Sequence, residues 1–202
     1  DVFVGVDVPT VQRIGEASAL HAAAGFAVTI DHHACETAMA QMVHVDPDAA
    51  SCSMLVWRLA SCLMDRLTPE VAQCAYTGLI TDTGRFQFQN TDAAALQAAA
   101  EMVEAGADPA LAAREVFQNR SLASVRLEAR AIERMRFDAS GQAVISWISA
   151  GDFEELGAVK ADAEPLIDVL RAVKGVRIAC MLREQPDAIR GSFRAKDDTA
   201  VS

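Results

Sequence analysis

The sequence has few basic residues and no long apolar run, and these absences exclude several classes of protein. Its 202 residues include 18 Lys and Arg against 28 Asp and Glu, which gives a net charge of −10. Proteins that grip long nucleic acids by their phosphates are usually basic, so we expect a small ligand instead of a long strand. No apolar run reaches about 18 residues and no signal peptide is evident, which predicts a cytoplasmic protein without a membrane span.

Cysteine and glycine patterns exclude two kinds of site. The cysteines are odd in number and form no Cys-x-x-Cys pair, so we expect reduced, mostly buried thiols instead of disulfides or a zinc site. They are Cys35, Cys52, Cys62, Cys74 and Cys180. No glycine-rich phosphate loop is present. The composition, 51% hydrophobic and 23% charged, is that of a globular protein with one sizeable core or two smaller ones.

The order of the predicted elements indicates an α/β domain with a parallel sheet, followed by a smaller α+β lobe. Apolar runs at 2–6 and 26–30 predict buried parallel strands. Helices are predicted from Ser51 and from Thr68, which are good caps, and 34–50 is predicted as a loop. Further elements are expected as a strand at 143–148, helices at 150–157 and 163–173, and antiparallel strands at 176–182 and 189–194.

Acidic and imidazole side chains follow three of the predicted elements. Asp7 follows the first strand, Asp31-His32-His33 follows the second, and Asp82 ends a helix. Because parallel strands bring their carboxyl ends to one edge, these groups are expected to converge. Carboxylate and imidazole are the ligands expected for a borderline divalent ion such as Mn²⁺. The alternatives are that each Asp caps an element and that the two His are incidental. His21 and His44 are not expected to be ligands.

Several blocks in this order resemble the DHH phosphoesterase superfamily. The likeness is to the nano-RNase and pAp-phosphatase branch, which includes cyclic di-AMP and linear dinucleotide phosphodiesterases. The blocks are Val6-Asp7-Val8-Pro9, Ile30-Asp31-His32-His33, Ala49-Ala50-Ser51-Cys52-Ser53, Leu79-Ile80-Thr81-Asp82-Thr83-Gly84-Arg85-Phe86 and Gly191-Ser192-Phe193-Arg194-Ala195-Lys196.

The resemblance implies a role for each residue of the first lobe's site. Asp7 would bridge two Mn²⁺ ions, with Mg²⁺ or Co²⁺ as alternatives, and His32 and Asp82 would complete one metal's shell. Asp31 and His33 are the candidate catalytic residues. Asp31 would orient the His ligand, and His33 would face the substrate phosphate.

The resemblance also implies substrate contacts in both lobes. Arg194, with Ser192 and Lys196, would reach the substrate from the second lobe, since a planar guanidinium suits a phosphate. Arg85 favours nucleotide substrates. The alternative for Arg194 and Lys196 is a charged strand edge.

The resemblance sets domain boundaries and expected departures. We expect a DHH domain at 1–110, a charged helical linker at 111–136, and a DHH-associated domain at 137–202. The family's first motif, H-x-P-D-x-D, would lie upstream and its Gly-rich GGGH segment downstream, so we expect a fragment lacking both ends, with impaired activity. Glu36 stands where relatives usually carry Asn.

We therefore predict an Mn-dependent phosphodiesterase or phosphatase that hydrolyses short nucleotides by two-metal water activation. The candidate substrates are nano-RNA, pAp, and cyclic or linear dinucleotides. The alternatives are a pyrophosphatase- or exopolyphosphatase-like hydrolase and a non-catalytic nucleotide sensor. No long nucleic acid and no membrane is expected as a partner, and a homodimer is an open alternative.

Overall fold

The chain folds as two units, residues 1–117 and residues 118–202, which are described one at a time. This computed structural model describes residues 1–34 and 39–196. Within those ranges no helix combines the length and the apolar character needed to cross a membrane.

The first unit is built on a parallel sheet of three strands in the order β1-β2-β3. These strands are β1 (Val2–Val6), β2 (Phe26–Asp31) and β3 (Met42–Val45). β2 pairs with both neighbours, with Ile30 opposite Val6 on one side and His44 on the other. The predicted parallel sheet is confirmed. The prediction of a loop over 34–50 is wrong at β3, a strand of four residues that is too short and too exposed for its pattern to stand out in the sequence.

Five α-helices belong to the first unit, and several begin at a capping side chain. The helices are α1 (Ser18–Ala23), α2 (Cys52–Leu63), α3 (Pro69–Asp82), α4 (Ala93–Glu104) and α5 (Pro109–Ala113). The Ser51 side chain accepts a hydrogen bond from Met54 N, and the Thr68 side chain accepts one from Val71 N. These side chains satisfy amide groups that have no partner within the helix.

The helical spacing of the apolar residues at 55, 59, 62 and 63 predicts one buried face for α2, and only part of that face is buried. Leu55 is buried as expected, but Leu59, Cys62 and Leu63 are exposed. The buried side chains lie in the first half of the helix, where α2 packs against β2 and α3. The thiols differ from prediction too. Cys52 and Cys180 are buried and Cys62 and Cys74 are exposed, while Cys35 lies outside the described residues.

The second unit packs helices on a four-stranded mixed sheet in the order β4-β5-β6-β7. β5 and β6 are parallel, whereas β4 pairs antiparallel with β5 and β7 pairs antiparallel with β6. The strands are β4 (Arg136–Phe137), β5 (Ala143–Ile148), β6 (Ile178–Gln185) and β7 (Ala188–Ala195). The helices are α6 (Leu122–Glu133), α7 (Ala150–Leu156) and α8 (Leu166–Ala172).

The segment predicted as a helical linker, 111–136, divides into separate pieces. α5 ends at Ala113, a π-helical turn covers Arg114–Gln118, and α6 begins at Leu122. α6 belongs to the core of the second unit, where Leu127 and Ala131 are buried. Within α6, the exposed Arg126 and Glu133 lie on the side away from Leu127 and Ala131.

Candidate metal centre

Asp31 ends β2 with a fully buried carboxylate. Its Oδ1 accepts hydrogen bonds from the backbone N of His32 at 2.7 Å, the backbone N of His33 at 3.0 Å, and His33 Nδ1 at 2.8 Å. Burial raises the pKa of Asp31, but the hydrogen bonds from His33 and His32 outweigh burial and leave the pKa below its ordinary value. The Asp31 carboxylate is therefore held in its charged form. Its other oxygen, Oδ2, is buried and has no hydrogen-bond partner among the described residues.

The His32 ring lies between two carboxylates. Its Nδ1 donates to the backbone carbonyl of Ala49 at 3.1 Å, which leaves the lone pair on Nε2. His32 Nε2 is 3.6 Å from Asp7 Oδ1 and 3.9 Å from Asp82 Oδ2. Two atoms that bind one ion through bonds of about 2.0–2.2 Å are at most about 4.4 Å apart. Both distances are therefore compatible with a shared divalent cation.

Asp7 reaches this site because the chain turns sharply after β1. Asp7 has φ +60°, a left-handed conformation that Asp tolerates better than most residues. Its backbone N donates to Ile30 O at 3.0 Å, which extends the β1–β2 pairing to the site. Asp7 Oδ1 is also 3.7 Å from His33 Nδ1. One ligand atom from each of Asp7, Asp31, His32 and His33 can be chosen so that all lie within 4.8 Å of one another.

Asp82 ends α3 close to Asp7. Burial raises the pKa of Asp82, and the charge of Asp7 raises it further. A carboxylate pair of this kind is stabilised by a cation between its members. The Asn90 side chain connects this helix end to the start of α2, because its Nδ2 donates to Asp82 O at 3.1 Å and to Ala50 O at 2.9 Å.

Cys52 is a neighbour of the site without being a candidate ligand. Its Sγ donates to Ile30 O at 3.1 Å. Burial raises the pKa of Cys52 to about 11, so the thiol is protonated at neutral pH. A cavity of about 540 Å³ opens beside Asp7 and Asp82, and its walls are mainly apolar side chains of α2 and α3 such as Val56 and Val71.

Arg85, a predicted substrate contact, lies in a turn that follows Asp82. Gly84, Arg85 and Phe86 all have positive φ, at +54°, +65° and +59°. The turn is held by Thr83, whose hydroxyl donates to Leu79 O and accepts from Phe86 N. The Arg85 guanidinium lies 4.8 Å from the centre of the Phe117 ring. Its role in substrate binding stays a prediction.

The predicted substrate contacts of the second unit lie on and next to β7. Ser192 Oγ accepts from Arg183 Nη2 at 3.0 Å. Arg194 is exposed, and its Nη1 donates to Phe193 O. Lys196 Nζ donates to Val173 O at 2.8 Å, at the end of α8.

The structure assigns the ring-orienting contact differently from the sequence. Asp31 was expected to orient the His ligand, yet the group that holds the His32 ring is the Ala49 carbonyl, while Asp31 holds the His33 ring. The sequence block at 49–53 contains the residue whose carbonyl holds His32, whereas no sequence motif included Asn90. His21 is partly buried, and its Nε2 contacts Met39 O at 2.6 Å. Glu36 lies outside the described residues.

Comparisons with known proteins identify relatives of the chain. No family model matches the chain. It is 29% identical over 172 residues to a protein of Thermus thermophilus named bifunctional oligoribonuclease and PAP phosphatase NrnA, covering 85% of this chain and 51% of that one. A Bacillus subtilis protein of the same name is 27% identical over 170 residues, covering 83% and 54%. This similarity agrees with the resemblance to the DHH phosphoesterase superfamily that the sequence blocks carry.

A solved structure is similar to the chain over nearly its whole length. An exopolyphosphatase-related protein from Bacteroides fragilis superimposes with a TM-score of 0.89 at 26% identity. The match covers 96% of this chain and 58% of that one. The chain spans about half the length of the curated relatives it matches. The α/β fold predicted from the sequence is thus confirmed, and so is the predicted resemblance to the DHH phosphoesterase superfamily.

Proposed function

We propose that this chain is part of a metal-dependent phosphoesterase that hydrolyses short nucleotides. The observation that carries the proposal is the placement of His32 Nε2 between the Asp7 and Asp82 carboxylates, with Nδ1 held by a carbonyl. Names of the relatives support substrates of this class, since the Thermus thermophilus and Bacillus subtilis proteins are each named an oligoribonuclease and PAP phosphatase.

The donor set fits a divalent cation such as Mn²⁺, with Mg²⁺ or Co²⁺ as alternatives. Carboxylate and imidazole are suitable ligands for these ions. Asp31 Oδ2 is a buried oxygen without a partner among the described residues, and a buried carboxylate oxygen of this kind requires a proton donor or a cation. Asp7, His32 and Asp82 would hold one ion. Asp7 also lies near Asp31 and His33, which supports a bridging role toward a second ion.

The chain's own residues would bind and orient the substrate. A cation at this site would activate water and offset the phosphate's charge when bound. The Asp31–His33 hydrogen bond fixes the His33 ring and leaves its Nε2 outside that contact, so the ring would face the substrate phosphate. Ser192, Arg194 and Lys196 are proposed as the contacts from the second unit.

A small substrate suits the charge of the chain better than a long strand. The net charge of −10 opposes the approach of a long polyanion. The cavity of about 540 Å³ beside Asp7 and Asp82 lies in the size range of small-molecule sites. These observations favour pAp and dinucleotides among the candidate substrates.

A second candidate is hydrolysis of inorganic pyrophosphate or polyphosphate. It is favoured by the name of the Bacteroides fragilis protein, which is called exopolyphosphatase-related. A third candidate, a nucleotide sensor without turnover, retains binding and lacks hydrolysis.

A substrate panel distinguishes these candidates. The chain is assayed with pAp, a linear dinucleotide, cyclic di-AMP, pyrophosphate and polyphosphate, each with Mn²⁺, Mg²⁺ or Co²⁺ and with a chelator. Asp7→Asn, purified identically, controls for contaminating hydrolases. We expect hydrolysis of pAp or the dinucleotide that requires the metal and is lost in Asp7→Asn. Faster hydrolysis of polyphosphate than of any nucleotide would overturn the proposal, as would nucleotide hydrolysis that survives in Asp7→Asn.

A further inference from the structure

Arg183 on β6 has a guanidinium that pairs with no carboxylate among the described residues. Its Nη2 donates to Ser192 Oγ at 3.0 Å, and its Nε is buried without a hydrogen-bond partner among the described residues. By contrast, Arg120, Arg130 and Arg134 each contact a carboxylate. Within residues 1–34 and 39–196, no carboxylate oxygen lies within 4.0 Å of a nitrogen of Arg183. A partly buried cation without a partner of opposite charge is destabilising, so binding of an anion beside Arg183 would be favourable.

The strand register places Arg183 on the same face as the predicted phosphate contacts. In the antiparallel β6–β7 pair, Met181 lies opposite Ser192 and Ala179 lies opposite Arg194. Residues directly opposite each other share a face, and so do alternate residues of one strand. Arg183 is therefore the next residue in the row of Ala179 and Met181. Those two are buried in the core, whereas Arg183 is partly exposed at the end of the row.

The contact with Arg183 determines what the Ser192 hydroxyl can do. A serine hydroxyl carries one hydrogen and two acceptor lone pairs. Because guanidinium only donates, Ser192 Oγ is the acceptor in this hydrogen bond. The hydroxyl hydrogen is then left for another acceptor. An oxygen of a phosphate group is such an acceptor, and the positive charge of Arg183 strengthens the bond to it.

We propose that Arg183 is a positioning residue of the phosphate-binding strand, acting through Ser192. It fixes the hydroxyl so that its hydrogen is directed to a substrate phosphate, and it supplies a positive charge beside that phosphate. The proposal rests on the proposed function, in which Ser192 and Arg194 contact a nucleotide phosphate, and it adds a cation that the sequence motif did not include.

The test measures binding of pAp to the whole chain by titration calorimetry in four variants. Arg183→Met removes the charge and keeps much of the apolar stem. Arg183→Lys keeps the charge and a donor. Ser192→Ala removes the hydroxyl alone. Lys174→Met is the matched control, since it removes an exposed positive charge from the same unit.

We expect Arg183→Met to raise the Kd for pAp about tenfold, with substantial rescue by Arg183→Lys and no change in Lys174→Met. A fifth variant combines Arg183→Met with Ser192→Ala. Adding Arg183→Met to Ser192→Ala should weaken pAp binding less than it does in the wild type, because the hydroxyl through which Arg183 acts is already gone. In turnover assays with Mn²⁺, the same change should raise KM and leave kcat within about twofold.

The result that overturns the proposal is an unchanged Kd in Arg183→Met, or a loss of binding that is fully additive with Ser192→Ala. Thermal denaturation of each variant identifies unfolding. If Arg183→Met is unfolded, Arg183→Lys is compared with the wild type and with Ser192→Ala. A Kd for Arg183→Lys near that of the wild type supports the proposal, because this variant keeps the positive charge, and a Kd as weak as that of Ser192→Ala contradicts it.

A second readout is independent of turnover. The ¹⁵N resonance of Arg183 Nε should shift on addition of pAp, and a fixed resonance at saturating pAp contradicts the proposal.

That resonance also separates this proposal from the proposed function. Failure of the chain to hydrolyse any nucleotide refutes the proposed function, whereas pAp binding and the Arg183 resonance still report on the phosphate-binding strand. Normal hydrolysis with an unaltered Kd in Arg183→Met refutes the positioning role alone.

Discussion

Among the residues that the structure describes, each of the two units buries one aspartate carboxylate, and the two differ in their hydrogen-bond partners. Asp152 in the second unit accepts from Arg130 at 2.5 Å, from Arg134 at 2.5 and 3.0 Å, and from the backbone N and the hydroxyl of Ser149 at 2.7 Å each. Asp31 in the first unit has one oxygen with three hydrogen bonds and another with no partner among the described residues. No guanidinium contacts Asp31 in that part of the chain.

This difference separates a carboxylate that stabilises a fold from one that is suited to bind a ligand. Asp152 is paired with two guanidinium groups and caps α7. Its interactions therefore stabilise the folded chain without any ligand. Asp31 retains an oxygen whose partner must be supplied from outside the described protein. Burial alone does not distinguish the two residues, since both are nearly inaccessible.

The distribution of charge follows the same division. Residues 1–117 contain five basic and fifteen acidic side chains, whereas residues 118–202 contain thirteen of each. The whole net charge of −10 therefore lies in the first unit. A carboxylate-rich unit attracts cations, which agrees with the proposal that the metal is held by the first unit.

The largest expected effect is at a carboxylate of the first unit. Asp82→Asn removes a charge 3.9 Å from His32 Nε2, and we expect kcat/KM for a dinucleotide with Mn²⁺ to fall about 10³-fold, equivalent to about 4 kcal/mol. The control is Asp48→Asn, at an exposed carboxylate of the same unit. Retention of activity within about threefold in Asp82→Asn would contradict the metal role.

The next largest effect is on the stability of the second unit. Asp152→Asn leaves two guanidiniums without their shared partner, and we expect a loss of about 3 kcal/mol of unfolding free energy. Urea unfolding is followed by Trp147 fluorescence in a Trp57→Phe background, which reports on the second unit alone. Asp168→Asn, at an exposed carboxylate, is the control and should change stability by less than about 0.5 kcal/mol.

The pH dependence of that effect has a defined sign. Burial raises the pKa of Asp152, but Arg134 and Ser149 outweigh it and hold the pKa well below the ordinary value of 3.8. The stabilisation is therefore complete above that ordinary value and is lost as the pH falls toward the lowered pKa. The difference between wild type and Asp152→Asn should shrink below about pH 4. A difference that grows in acid would show that the carboxylate is not stabilised by its cations.

A smaller effect is expected at the phosphate-binding strand. Arg194→Ala should raise KM for nucleotides about tenfold and leave Mn²⁺ binding unchanged, because the cation would be held by the first unit. Arg126→Ala removes an exposed arginine of the same unit and is the control. An unaltered KM for a dinucleotide would reject the role of Arg194.

The smallest effect concerns a positioning contact within the first unit. Asn90→Ala removes two hydrogen bonds to backbone carbonyls at the ends of α2 and α3. We expect a loss of about 1 kcal/mol of unfolding free energy, since the side chain is exposed. Trp57 fluorescence in a Trp147→Phe background measures it, with Gln89→Ala in the same turn as the control. A change equal to that of Gln89→Ala would show that water replaces both hydrogen bonds.

The parts of the site that could be predicted from the sequence are those carried by side-chain type. Asp7 and Asp31-His32-His33 follow apolar runs, and parallel pairing brings the ends of such strands together. Asp82 could be placed because its helix has a clear cap and a clear stop. These site residues could therefore be predicted from the ends of the strands and helix and from the assumption that the strands are parallel.

The parts that could not be predicted are carried by the backbone. The Ala49 carbonyl that holds His32 is one of many identical carbonyls, and nothing in its residue type marks it. The contacts of Asn90 are likewise to carbonyls forty and eight residues away. β3 was missed because it is too short and too exposed for its pattern to stand out, and its pairing with β2 consists of backbone hydrogen bonds.

The central claim is that Asp7, His32 and Asp82 form a divalent-cation site, and a Mn²⁺ titration followed by electron paramagnetic resonance tests it most directly. The signal of free Mn²⁺ is measured as the wild-type chain, His32→Ala and His44→Ala are added. His44 is the matched control because it lies exposed on β3 of the same sheet. We predict that the wild type and His44→Ala reduce the free signal equally and that His32→Ala does not. Equal Mn²⁺ binding by His32→Ala and the wild type would contradict the account.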